Sequence, residues 1–144
     1  MLTPDELQER IQKGWIKSKM WFEVLALDKK ITEDALKGHV EKIKREKDTI
    51  VLGDKFEEIK YVENPLERVK DAFSQAVEID LMTKNIETLL TVVIFYGPSA
   101  VEIIQPDKLT IGMQSVQAIM NSVADLIHRI AARGAGGIVI SAKK

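Results

Sequence analysis

Apolar and polar residues alternate in blocks whose period switches between two and 3.6, and the switches predict the elements. From 74 to 82 the period is two, with Val77, Ile79 and Leu81 on one side and Glu78 and Asp80 on the other. The next block places Ile86, Leu89, Leu90, Val93 and Ile94 at i, i+3, i+4, i+7 and i+8, one face of a helix capped by Asn85 and stopped by Gly97. The β-branched run LLTVVIFY pulls the same residues toward strand; cap, spacing and stop together favour helix. Residues 100–104 return to strand, ended by Pro106. Strand, capped helix and strand form a β-α-β unit, and it fixes fold class without fixing any chemistry.

The flanks are read in the same way. Thr3, Pro4 and Glu6 make a capping box with proline at the first helical position, and Gly14 ends that helix. Met20, Phe22, Val24 and Ala26 share one face of a strand over 18–27, whose other face carries Trp21, Glu23, Leu25 and Leu27. A second helix is expected to open at Thr32 and run to about Lys47. A short strand follows at 49–52, then a Gly53-Asp54 turn, with Phe56, Ile59, Tyr61 and Val62 continuing or pairing with that strand. Pro65 permits one or two helical turns in PLERVKDAF. A long helix over 113–133 carries Val116, Ile119, Val123, Leu126 and Ile130 at alternating spacings of three and four, widened by Met120 and Ile127. The stripe is short for a coiled coil, and packing on the chain's own sheet is its plainer use.

The expected fold is α+β: one domain, 1–144, with a ferredoxin-like β-α-β-β-α-β core over 18–110 and an antiparallel sheet bearing helices on one face. To this core are added an N-terminal helix (1–14), a long C-terminal helix (112–133) and a tail (134–144) with a glycine hinge and a β-prone run.

Residues 77–109 resemble the C-terminal extension domain of WYL-type bacterial transcriptional regulators, in which a strand leads to an amphipathic helix, a glycine, a strand of the form VEVLEP and another helix. Val77 to Leu81, Ile86 to Phe95, Gly97, Val101 to Ile104 and Pro106 hold those places in order. The resemblance implies a ligand-sensing or oligomerising module. No helix-turn-helix and no Trp-Tyr-Leu-bearing barrel precedes it, so it does not imply a transcription factor.

Composition narrows the function classes. The 144 residues hold 45% hydrophobic and 30% charged side chains, as folded domains do. Twenty-one basic residues against 22 acidic ones leave a net charge of −1, without the basic excess of a general nucleic-acid binder, so no nucleic acid is expected. The absence of cysteine excludes disulfides and thiolate chemistry and suits a reducing, cytoplasmic setting. No apolar run is long enough to span a membrane, and MLTPDELQER is unlike a signal peptide, so no membrane association is expected. The Lys/Glu/Ile-rich composition is also of a kind thermophiles favour.

Candidate chemistry is sparse. Tyr96, Gly97 and Ser99 form a turn at an element end, with Glu102 following as an acid, and they are the candidate ligand-binding residues. A helix C-cap leading into a strand explains the Gly97-Pro98 pair equally well. Trp21, Leu25 and Ile104 on the sheet face away from the helices are the candidate interface. Glu23, Glu78, Asp80 and Glu102 on that face are expected to be solvated or paired with Lys and Arg, so no metal and no cofactor is assigned. His39 and His128 read as structural. The leading function is a non-catalytic, self-associating module that binds a small ligand or a protein partner. The rival readings are a small enzyme with a site at a subunit boundary (Tyr96, Ser99, Glu102, His39) and a structural subunit of a larger complex.

Overall fold

A computed structural model describes residues 2–133. The tail at 134–144, with its glycine hinge and β-prone run, lies outside them. The chain divides into two compact units, Met1–Leu109 and Thr110–Lys144.

The first unit is an α+β arrangement built on an antiparallel sheet of five strands. Helix α1 (Pro4–Gln12) starts on the expected capping box, in which Thr3 Oγ1 accepts from Glu6 N and the Glu6 carboxylate accepts from Thr3 N. Gly14, at φ +95°, turns the chain into strand β1 (Ile16–Ala26). Helix α2 (Lys29–Lys44) begins three residues before the expected Thr32. Its cap is Asp28, which accepts from Ile31 N at 2.9 Å. Thr32 is instead buried, with its hydroxyl donating back to the Asp28 carbonyl at 2.8 Å. A carboxylate makes the stronger cap, and the apolar face Thr32, Leu36, Val40 and Ile43 then starts one turn inside the helix.

Strand β2 (Thr49–Phe56) is followed by β3 (Lys60–Leu66) and, after a turn, by the 15-residue β4 (Val69–Thr83). The helical turns expected at Pro65 are absent: Leu66 pairs with Val69 across a hairpin. Proline is accommodated because β3 pairs only with β4 among the described residues, and the register slips there beside Asn64 at φ +50°. β2 and β3 lie one after the other along β4, paired to its second and first halves. Helix α3 (Ile86–Tyr96), capped by Asn85 and closed by Gly97 in the left-handed conformation at φ +59°, leads to β5 (Ala100–Gln105). The path through the sheet is β2-β4-β1-β5, with β3 beside β4, and all pairings are antiparallel.

One sheet face carries the core. Ile16, Met20 and Phe22 of β1 and Val77, Ile79 and Leu81 of β4 pack with Leu36, Val40 and Ile43 of α2 and Leu89 and Val92 of α3. The opposite face is not wholly open. Met82 lies on it fully buried, and Leu2 and Glu6 border a groove with Ile50 and Leu52.

The second unit contributes α4 (Met113–Ala132), begun at Gly112 without a side-chain cap; none of its residues is buried. No helix among the described residues is long and apolar enough to cross a membrane.

Candidate functional site

The segment Tyr96–Glu102 connects α3 to β5, and its side chains diverge. The Tyr96 hydroxyl donates to the Glu46 carboxylate at 2.6 Å, beyond the end of α2. His39, one helical face along, has Nε2 2.8 Å from the Tyr96 carbonyl oxygen. A carbonyl only accepts, so Nε2 carries the proton. The His39 ring also meets Phe22 and Tyr96 edge-on, with centroids 5.2 and 5.4 Å apart. These contacts clamp the end of α3 onto α2, and they give His39 a structural use at a helix C-terminus, where partial negative charge collects.

Ser99 faces elsewhere. Its N–H and its hydroxyl both donate to the Trp21 carbonyl, at 2.7 and 3.1 Å, and so fasten the start of β5 to β1. Glu102 stands in register with Lys19, on the face away from α2 and α3. Lys19 also lies 3.6 Å from Glu78 and 3.8 Å from Asp80. Glu23 accepts from the Ser74 hydroxyl. Tyr96, Ser99 and Glu102 thus serve three different neighbours and do not converge on a common point. Gly97 supplies the left-handed turn between them, a conformation with strain for any side chain.

The bond to Glu46, followed by burial, raises the Tyr96 hydroxyl to about 12. The Tyr61 hydroxyl is raised too, chiefly by donating to Asp71. A group whose folded pKa is raised adds stability that is complete below the ordinary phenol value near 10 and is lost as pH climbs through the folded value. Alkaline titration followed by phenolate absorbance is expected to show both tyrosines ionising late, Tyr96 at about 12. Glu46→Gln should bring Tyr96 down; an unchanged curve would mean that Glu46 is not what holds its proton.

The interface candidates separate as well. Trp21 is half-buried beside Ala100 and Glu78. Leu25 is exposed further along β1, and Ile104 sits in the register shift between β1 and β5. Exposed apolar surface also lies on the other face of β5. Val101 and Ile103 oppose Met20 and Ser18, both fully buried, yet are 41% and 53% exposed. All six residues of β5 are exposed, and β5 pairs only with β1 among the described residues. Val101 and Ile103 stand on the core side of the sheet, but a strand at the sheet edge lies beyond the cover of α2 and α3. Glu46 carried no signal in the sequence: it is one acid in the charged run EKIKREKD.

Two shallow depressions lie on the surface of this unit. One, of about 310 Å³, lies where β2 gives way to β3 and is lined by Glu23, Glu57, Glu58, Lys60, Ser74 and Gln75, among others. The other, of about 460 Å³, is the groove beside Leu2 and Glu6. Among the described residues no group of three or more His, Asp or Glu side chains is placed to hold a metal ion.

A model of the MJ0538 family matches residues 17–143. The chain belongs to the MJ0538 family. The match takes in β1 from Lys17 onward and every later element among the described residues of this MJ0538-family chain, including β5 and α4, and begins after α1. No curated protein and no solved structure matches it.

Proposed function

We propose that this MJ0538-family protein is a non-catalytic module that associates with a second copy of itself by pairing β5 with β5 about a two-fold axis. The observation that carries this reading is the edge strand itself: six exposed residues, an outer edge without a partner among the described residues, and Val101 and Ile103 uncovered on its helix-bearing side. Edges of this kind template strand addition unless they are guarded. The one charged side chain on β5 is Glu102, which stands in register with Lys19 on the face away from Val101 and Ile103.

The core is read as ferredoxin-like. Support comes from taking β2 and β3 as one interrupted edge strand, since Glu57 N, between them, donates to the Ala76 carbonyl of β4 at 2.9 Å. The sheet then has four strands in a β-α-β-β-α-β chain. The likeness of residues 77–109 to an oligomerising extension domain points the same way, and the cysteine-free composition supports a reducing compartment.

The test is the mass of the purified chain by native mass spectrometry and light scattering, alone and as Ile103→Lys. The parent is expected above one copy. A charge buried at the pairing edge should loosen it by about 30-fold or more, the effect of a hot-spot loss near 2 kcal/mol. A parent that is monomeric at tens of micromolar, or a variant with the parent's mass, would sink the β5 reading.

A further inference from the structure

We infer that α4 is a second self-association element, packing its apolar stripe against α4 helices of further copies in a bundle. The inference rests on the self-association reading above but is carried by a different unit of the chain. Along α4, Met113, Val116, Met120, Val123, Ile127 and Ile130 follow at spacings of 3, 4, 3, 4 and 3, a seam that a slight left-handed supercoil keeps turned toward one partner. None of α4 is buried, and all but Val116 of these six stand exposed. A seam of period 3.5 mates with another helix, because its knobs fit the holes of a surface with the same repeat. The apolar faces of α2 and α3 are already spent in the core.

Charge identifies the occupant as another copy. The charged side chains of α4 are Asp125 and Arg129, which pair with each other one turn apart, away from the seam, with His128 beside them and Arg133 at the C-cap one turn on. Within the helix the positions flanking the seam are Gln117, Ala124 and Ala131 on one side and Ile119 and Leu126 on the other. They offer nothing to select a charged foreign partner and nothing to repel an identical helix.

Width and area set the number of helices. With Ile119 and Leu126, three positions in seven are apolar, the width of a bundle face and wider than a two-stranded seam. Twenty residues make a strip about 30 Å long and about 10 Å wide, on the order of 300 Å² per helix contact, short of the roughly 800 Å² per partner of a stable pair. A helix that meets two others roughly doubles that contact. Even doubled, the contact stays short of that figure, so the α4 bundle is expected to add to β5 pairing, with two β5 pairs joining their four α4 helices in a tetramer.

The experiment uses the whole chain. Because it has no cysteine, Val123→Cys places a single thiol at the middle of the seam, near its own copy in parallel and antiparallel bundles alike. Mild oxidation should convert most of the protein to a disulfide-linked species, whereas Asp125→Cys, off the seam, should link poorly. Light scattering should give the mass of a tetramer for the parent and a lower one for Val123→Lys, with circular dichroism showing that each variant keeps its helix and sheet. No cross-link at Val123 beyond that at Asp125, or an unchanged mass for Val123→Lys, overturns the α4 bundle. A parent dimer that Ile103→Lys dissociates and Val123→Lys leaves intact overturns it while the β5 reading stands. A monomeric parent overturns both.

Discussion

Phe22→Ala is expected to destabilise the chain by about 3–5 kcal/mol, among the largest losses available from one substitution. The ring is 3% exposed on the core face of β1, packed within the cluster that joins the sheet to α2 and α3. Its edge contact with His39 adds a second consequence. With the ring gone, the imidazole that holds the Tyr96 carbonyl loses its stop on that side, so the clamp between α2 and α3 loosens as well as the core. Urea unfolding followed by circular dichroism should show the midpoint fall with little change in slope. A loss under about 1 kcal/mol would mean that Phe22 is not at the centre of packing.

Leu36→Ala comes next, at about 2–5 kcal/mol, and its value lies in a contrast. Leu36 is fully buried on α2, whereas Leu25, the same side chain on β1, is 44% exposed. Truncating Leu36 opens a cavity under the helix that the rigid sheet cannot fill. Truncating Leu25 removes methyl groups that already touch solvent, and the change should stay within about 0.5 kcal/mol. Equal effects at the two positions would overturn the assignment of α2 to the core face.

What could be seen in the sequence follows from what is local. The capping box at Thr3 and Glu6, the Asn85 cap and the Gly97 stop are short-range devices, and each stands where the pattern put it. Alternation over residues 74–82 marked the core side of β4 for the same reason. Errors arose where two local signals competed. Asp28 and Thr32 are both good caps, and only the burial of Thr32 against the sheet decides between them. Pro65 suits a first helical turn as well as an edge strand, and the pairing of Leu66 with Val69 decides it. The candidate site was the least legible, because its meaning depends on distant partners. Tyr96 turns to Glu46 and Ser99 to the Trp21 carbonyl, 50 and 78 residues away in the chain. Nothing in a turn sequence announces such neighbours.

The two margins of the sheet are unlike, and this bears on growth. Along β2 and β3 the margin is broken at residues 57–59 and studded with Asp54, Lys55, Glu57, Glu58, Lys60 and Glu63, and near its end it carries Pro65 beside Asn64 at φ +50°. Charges, proline and broken register are the means by which natural sheets refuse a stranger's backbone. A sheet with two receptive margins would add copy after copy and polymerise without end. With the β5 margin the receptive one among the described residues, the β5 pairing proposed above would use that edge at the first encounter, so strand pairing would close at two and not propagate into a fibre.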